Sequence, residues 1–289
     1  MATIRDLQRE GKRLLAEAGI ATPGREASLL LGAILGRSEP KLLAHDDAEV
    51  DPRDDAAFLA LVERRRRGEP FAYLARGKEF FGRPFAVDER VLIPRPETEE
   101  LVEIVLALPL PERARVLDLG TGSGAIAWPL AAERPPWRVI AADLALDALA
   151  CAHRNRARLG LASRTALVGG DLADAFDLGR FDLLVSNPPY VDPDDEALVA
   201  ADVRTYEPAI ALFAGDRGFA LIDRLLDASR RLSPGAFLAF EFGFGQQEGL
   251  LRRAACRPWL DLVLLHDDHA GIPRDVVFKR RREAPEGND

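Results

Sequence analysis

The chain is short of cysteine, of basic excess and of long apolar runs, and each shortage excludes a class of protein. Two cysteines, Cys151 and Cys256, occur in 289 residues. They stand far apart and match no metal spacing, so no disulfide framework is suggested and a reducing compartment is the simplest setting. Lys and Arg number 39 against 47 Asp and Glu, a net charge of −8. Binding to a phosphate backbone comes from neutralising phosphates with cations, which disfavours a protein built mainly for that purpose while leaving a local basic groove open. No run approaches the roughly 20 apolar residues that span a bilayer, and Met1–Arg13 has no apolar core of signal-peptide length. A soluble, cytoplasmic protein is the expectation. The remaining composition, 47% hydrophobic and 30% charged, is that of an ordinary globular protein. The length suits one large domain or two unequal ones.

Residues 4–74 read as helical. Ile4, Leu7, Leu14, Leu15 and Ala18 recur at helical spacing, Ala27, Leu30, Leu31 and Ile34 share a face, and Asp51-Pro52 opens a further helix through Phe58, Leu59 and Val62. The run Arg64–Arg67 reads first as a helix end complementing the macrodipole and second as a nucleic-acid or ribosome contact. The period then changes. Phe80, Phe81, Phe85, Val87 and Val91 are separated by Gly82, Pro84 and Asp88, which predicts a β-hairpin linker over 75–94. From 95 to 283 strand and helix patterns alternate, so the predicted fold class is α/β, a Rossmann-like sheet, with a polar tail over 284–289.

Two stretches carry the chemistry. The strand Arg115–Leu119 runs into Gly120-Thr121-Gly122-Ser123-Gly124 and a helix, and the next strand ends at Asp143. Glycines let the backbone approach a ligand, and an acidic residue about 20 positions on suits a ribose diol. The spacing Gly120-x-Gly122-x-x-Ala125 satisfies a loose dinucleotide pattern, while Gly120-x-Gly122-x-Gly124 with Asp143 fits an S-adenosylmethionine site at least as well. Asp171 and Leu172 follow the third strand, where an acidic group could bond an adenine amino group and Leu172 could pack on the ring; a plain turn is the competing reading of Asp171. The second stretch is Asn187-Pro188-Pro189-Tyr190, closing the strand Phe181–Val185. Two prolines fix two φ angles and remove two donors, which makes a stiff corner where open α/β sheets hold ligands. The Asn187 amide and the Pro188 carbonyl can both accept from one –NH2 group, and Tyr190 offers a flat face. Arg95 and Thr98 lie on a rigid lead-in, Ile93–Glu99, that either lines a pocket or caps a helix. Cys151 reads as core and His153 as surface. His266 and His269 flank Asp267 and Asp268 without a third ligand, so no metal is expected.

Taken together, Gly68–Leu74, Val91–Glu99, Gly120–Gly124, Asn187–Tyr190, Glu207–Gly215, Glu241-Phe242-Gly243 and Asp275-Val276-Val277 resemble the peptide chain release factor glutamine methyltransferases over nearly the whole chain. The resemblance implies a class I S-adenosylmethionine-dependent methyltransferase with a helical substrate-recognition domain over 1–74. The product would be S-adenosylhomocysteine and the reaction would use no metal. The glutamine of the Gly-Gly-Gln motif in class I release factors would be the methyl acceptor, and the enzyme would act as a monomer without a nucleic-acid substrate. Residue by residue it implies that Gly120, Thr121, Gly122, Ser123 and Gly124 wrap the methionine part, Asp143 holds the ribose, and Asp171 and Leu172 border the adenine. Leu172 departs from the aromatic that relatives often carry there. Asn187, also beside the cofactor, would bind the substrate amide with Pro188, Pro189 and Tyr190. Asn187, Pro188 and Tyr190 are the expected catalytic group.

Four alternatives share parts of this pattern. A ribosomal-protein glutamine methyltransferase shares the core but departs from Ile93–Glu99 and from the helical region. A DNA adenine-N6 methyltransferase shares the Asn-Pro-Pro-Tyr corner but needs a basic target-recognition region that is not found. An NAD-dependent dehydrogenase rests on the glycine loop alone. A non-enzymatic release-factor binding module would have no use for Asn187 and Asp143.

Overall fold

The computed structural model describes residues 1–282, so the polar tail expected over 284–289 lies outside the described residues. The chain divides into two units, Met1–Lys78 with Ala200–Tyr206, and Glu79–Val199 with the described residues from Glu207 on.

The first unit is helical because its apolar residues recur at helical spacing and its helix starts are capped. Helix α1 (Ile4–Glu17) opens with a capping box in which Thr3 and Asp6 satisfy each other's backbone donors. Helix α4 (Pro52–Arg66) has Asp51 accepting from Arg53 N and proline at its first position. With α2 (Pro23–Leu35) and the short α3 (Glu39–Ala44) they enclose Leu15, Leu30, Leu31, Leu42, Phe58 and Val62, all fully buried. Gly11 lets α1 close on Phe58, since a Cβ there would lie 2.6 Å from the Phe58 ring. Helices α3 and α5 (Phe71–Leu74) are too short to show a period in the sequence. The four arginines at the end of α4 are engaged inside this unit: Arg64 with Glu69, Arg65 with Glu26, and Arg66 and Arg67 with Glu63.

The predicted hairpin is paired only as β1 (Lys78–Phe80) and β2 (Arg83–Phe85). Its turn, Phe81-Gly82, has positive φ at both residues, and Phe81 N donates to Glu99 Oε1 at 2.8 Å. Pairing stops there because Asn155 takes the next backbone groups: Ala86 N donates to Asn155 Oδ1 and Asn155 Nδ2 donates to Ala86 O. Residues 86–94 are therefore a loop with a turn at Glu89-Arg90, and the paired part is shorter than the 75–94 linker expected.

The second unit is built on one sheet. In chain order its elements are α6 (Glu97–Ala107), β3 (Arg115–Leu119), α7 (Ala127–Glu133), β4 (Arg138–Asp143), α8 (Leu146–Arg158), β5 (Thr165–Gly169) and β6 (Leu183–Ser186). Then come α9 (Ala201–Tyr206), which belongs to the first unit, α10 (Ala220–Ala228), β7 (Phe237–Glu241), α11 (Gln247–Ala255), β8 (Leu260–Asp267) and β9 (Pro273–Arg280). The strand order is β5-β4-β3-β6-β7-β9-β8, parallel from β5 through β7, with β9 antiparallel to both its neighbours. The central strands β6 and β7 are buried along their whole length and mostly apolar, as coverage on both faces requires. The order reverses between β3 and β6, where such sheets leave a crevice at the carboxyl ends of their strands.

Candidate active site

The loop after β3 is shaped by two acidic residues. Asp118 is fully buried; its Oδ2 accepts from Thr121 Oγ1 at 2.6 Å and from Ala127 N at 3.2 Å, while burial pushes its carboxyl up to about 7. Asp143 ends β4 and accepts from Gly122 N at 2.8 Å and from Ala145 N at 2.9 Å. Burial raises its pKa and these backbone donors oppose the rise. Each Asp143 oxygen keeps a second lone pair for a further donor.

Gly120, Thr121, Gly122 and Ser123 line the cleft at this end of the sheet, and Gly124 does not. At Gly124 φ is +85° and a Cβ would lie 1.9 Å from Trp128 Nε1, which is itself tied to Ala152 O. Its glycine serves helix packing behind the loop rather than ligand approach. Gly124→Ala is expected to cost about 2–5 kcal/mol in urea unfolding, the sum of left-handed strain and overpacking. Gly160→Ala, at φ +69° with open space around it, should cost only the strain, about 1–2 kcal/mol.

The cleft runs from the glycine loop past Asp143 to the Asn187 corner. Asp143, Leu144, Asp171 and Leu172 line one part of it, and Arg95, Thr98, Asn187, Pro189 and Ile210 line another. Asp171 opens a turn, with Asp174 N donating to its carbonyl, and Arg224 donates to its Oδ1 at 2.9 Å. Leu172 sits at φ +48°. Buried Glu207 accepts from Ile93 N at 3.0 Å and from Arg95 at 2.6 Å, which ties the proline-stiffened lead-in to the loop that follows α9.

The Asn-Pro-Pro-Tyr corner follows β6, whose Ser186 donates to Leu119 O at 2.7 Å. Asn187 Nδ2 donates to Thr98 Oγ1 at 3.0 Å and to Glu241 Oε2 at 2.9 Å. Thr98 Oγ1 donates to the same Glu241 oxygen at 2.7 Å, and Tyr190 OH donates to Glu241 Oε1 at 3.0 Å. Both hydrogens of the Asn187 amide are thereby taken, and its Oδ1 is bonded to none of the described residues. Burial raises the Glu241 carboxyl, and the bonds from Thr98 and Tyr190 oppose that. Burial, then the neighbouring Glu241, raises the Tyr190 phenol. Pro188 and Tyr190 are not among the cleft-lining residues; the Tyr190 ring packs against the core and its carbonyl accepts from Gln246 Nε2.

Glu241, the group on which this corner converges, has no expected role in the sequence reading. A carboxylate ending the apolar strand Phe237–Glu241 is the signal that could have found it. Parallel register, Ser186 opposite Phe240, sets Asn187, just past the end of β6, level with Glu241, the last residue of β7.

Asp275 lies opposite Glu241 in the antiparallel register. Neither of its oxygens is bonded, and burial followed by Glu241 and Glu100 pushes its carboxyl up to about 8. A carboxyl raised on folding contributes full stability below its unfolded value and loses it as pH rises through the folded one. Asp275→Asn is therefore expected to leave stability unchanged at pH 4 and to raise it near pH 7. The gain should be about 4 kcal/mol, the amount the shift implies between the unfolded value and pH 7. Urea midpoints across pH 4–9 would measure it. Nearby, His269 Nδ1 contacts Glu100 Oε1 at 2.5 Å, and His266 Nδ1 stands 3.6 Å from both Glu100 and Asp275. Among the described residues no group of three or more such side chains could hold a metal ion.

Residues 6–75 match a family model described as PrmC N-terminal domain, and residues 99–208 match Methyltransferase small domain. The release factor glutamine methyltransferase of Bordetella pertussis is 45% identical over 91% of this chain and 96% of its own. That of Nitratidesulfovibrio vulgaris is 38% identical over 97% and 96%, and that of Escherichia coli K12 is 42% identical over 79% and 82%. Two solved structures share the fold at low identity. A methyltransferase from Pyrococcus furiosus has TM-score 0.53 and 18% identity, covering 78% of this chain and 98% of that one. The hMettl16 catalytic domain has TM-score 0.55 and 16% identity, covering 81% and 84%.

Proposed function

The chain belongs to the release factor glutamine methyltransferases, and from that premise we propose that its cleft joins a methyl group from S-adenosylmethionine to the side-chain amide nitrogen of the Gly-Gly-Gln glutamine in class I release factors. The observation that carries the reading is the Asn187 amide: both its hydrogens are held by protein, and its oxygen is left for a donor on a residue that lines the cleft.

The residues fit such a cofactor. Gly120–Ser123 border its methionine part, with Gly124 shaping the loop from behind. Asp143, already held by two backbone donors, accepts from the ribose hydroxyls. Asp171 and Leu172 border the adenine. When bound, the cofactor supplies a methyl group activated by a positive sulfur.

An amide nitrogen is a poor nucleophile because its lone pair is delocalised into the carbonyl. Asn187 Oδ1 and the Pro188 carbonyl, each accepting one hydrogen of the substrate –NH2, bias that nitrogen toward a pyramidal geometry and free lone-pair density for in-line attack. Pro189 lines the cleft and limits the approach, and Tyr190, whose hydroxyl is held by Glu241, braces the corner from behind. Rate comes mainly from holding two reactants in line. The extra proton leaves to water, since the reading assigns no strong base.

The proposed acting form is a monomer, and the helical unit is the candidate for recognising the release factor. No helix among the described residues is long and apolar enough to cross a membrane, in keeping with a partner met in the cytoplasm. Mass spectrometry of a release factor after incubation with enzyme and S-adenosylmethionine tests the reading. One added methyl on the Gly-Gly-Gln glutamine is expected. An unmodified release factor beside labelled DNA or ribosomal protein would overturn it.

A further inference from the structure

Glu241 touches no reacting atom in the mechanism above, yet three donors of the corner end on it. A buried carboxylate can only accept. Thr98 therefore spends its one hydroxyl hydrogen on Glu241 Oε2, and its oxygen is left to accept from Asn187 Nδ2. The second Asn187 hydrogen goes to the same carboxylate. Turned by half a rotation, Asn187 would set its Oδ1 against the Glu241 oxygen and aim two hydrogens at the substrate. A substrate –NH2 would then meet donors instead of acceptors.

We infer that Glu241 is the positioning residue that sets the polarity of the substrate site, by holding the Asn187 amide with Oδ1 toward the cleft. The inference rests on the reading of Asn187 as the acceptor of the substrate amide. Its consequence is selection by chemical class. An acceptor-only corner takes a neutral carboxamide by its two N–H donors and rejects a carboxylate of the same shape. A release-factor peptide with glutamate in place of the glutamine should accordingly fail to compete.

The same carboxylate could act only as a buried cross-link, and exchanging the two groups separates the cases. Asn187→Asp puts two acceptors face to face. Adding Glu241→Gln moves the charge from one residue to the other: the new amide donates to residue 187, accepts from Tyr190 OH, and leaves an acceptor toward the substrate. The net charge is unchanged.

Single-turnover methyl transfer to a release factor is measured for the wild type, Glu241→Met, Glu241→Gln, Asn187→Asp and the exchanged pair, with cofactor titration and melting curves for each. Glu241→Met is expected to lower the rate at least tenfold with cofactor Kd within twofold of wild type. Glu241→Gln is expected to slow the wild type yet to raise the rate of Asn187→Asp at least tenfold. If Glu241→Met proves unfolded, the sign of the exchange decides, because glutamine is isosteric. A Glu241→Met rate within twofold of wild type, or a Glu241→Gln change that slows both backgrounds, overturns the inference. A wild-type enzyme that leaves the release-factor glutamine unmethylated overturns the functional reading instead.

Discussion

Asn187→Ala is expected to lower kcat by roughly 10²–10³-fold, the size of effect seen when one pre-aimed hydrogen-bonding group is removed from a reacting centre, with cofactor affinity unchanged. The loss belongs to kcat because the bond it removes gains strength as the substrate nitrogen pyramidalises, so it favours the transition state over the ground state. Alanine also leaves Glu241 and Thr98 without the amide donors they now receive. The carboxylate keeps Thr98 and Tyr190 as donors, so the corner should stay folded, with a melting temperature near that of wild type. Cofactor titration beside single-turnover transfer would check the claim. Near-normal turnover would remove Asn187 from the mechanism.

Asp143→Ala should give the opposite pattern. Its carboxylate stands to accept two ribose hydroxyls, at roughly 1.5–3 kcal/mol for each charged hydrogen bond, which corresponds to about 10²–10⁴-fold in cofactor Kd. Part of that loss is indirect. Gly122 N and Ala145 N now donate to Asp143, and without it the glycine loop loses the anchor that presents its backbone to the cleft. With saturating cofactor, kcat should recover to within a few-fold of wild type, because no atom of Asp143 takes part in the transfer. Calorimetric titration with S-adenosylmethionine and a kcat measured at saturation separate the two terms. An unchanged Kd would take Asp143 out of the cofactor site.

Local sequence carried most of the architecture. The glycine loop, Asp143 and the proline-locked corner each sit at the end of an apolar strand, and their spacing alone placed them at one edge of a parallel sheet. The structure brings Gly120–Ser123, Asp143, Asp171, Leu172, Asn187 and Pro189 to one cleft. Gly124 read as a ligand-wrapping residue because glycine spacing records a need for backbone freedom and not its reason, which here is the Trp128 side chain. Tyr190 read as a face open to substrate, whereas its hydroxyl is drawn into Glu241. The linker read as a longer hairpin because the pattern could not reveal that Asn155, some 70 positions on, takes the backbone groups of Ala86.

The sequence by itself determined the fold class and the two-part organisation, and it located the proline-locked corner at the end of a strand. These depend on short-range rules: periodicity, glycine and proline geometry, and the chemistry of a residue beside its neighbours. Only the tertiary structure decided which way the Asn187 amide faces. That answer requires a hydroxyl from residue 98 and a carboxylate from residue 241 to meet residue 187 within 3.0 Å. Strand register and the start of α6 create that meeting. Hydrogen-bond polarity spreads only through contacts between residues far apart along the chain, so no reading of one segment at a time could have supplied it.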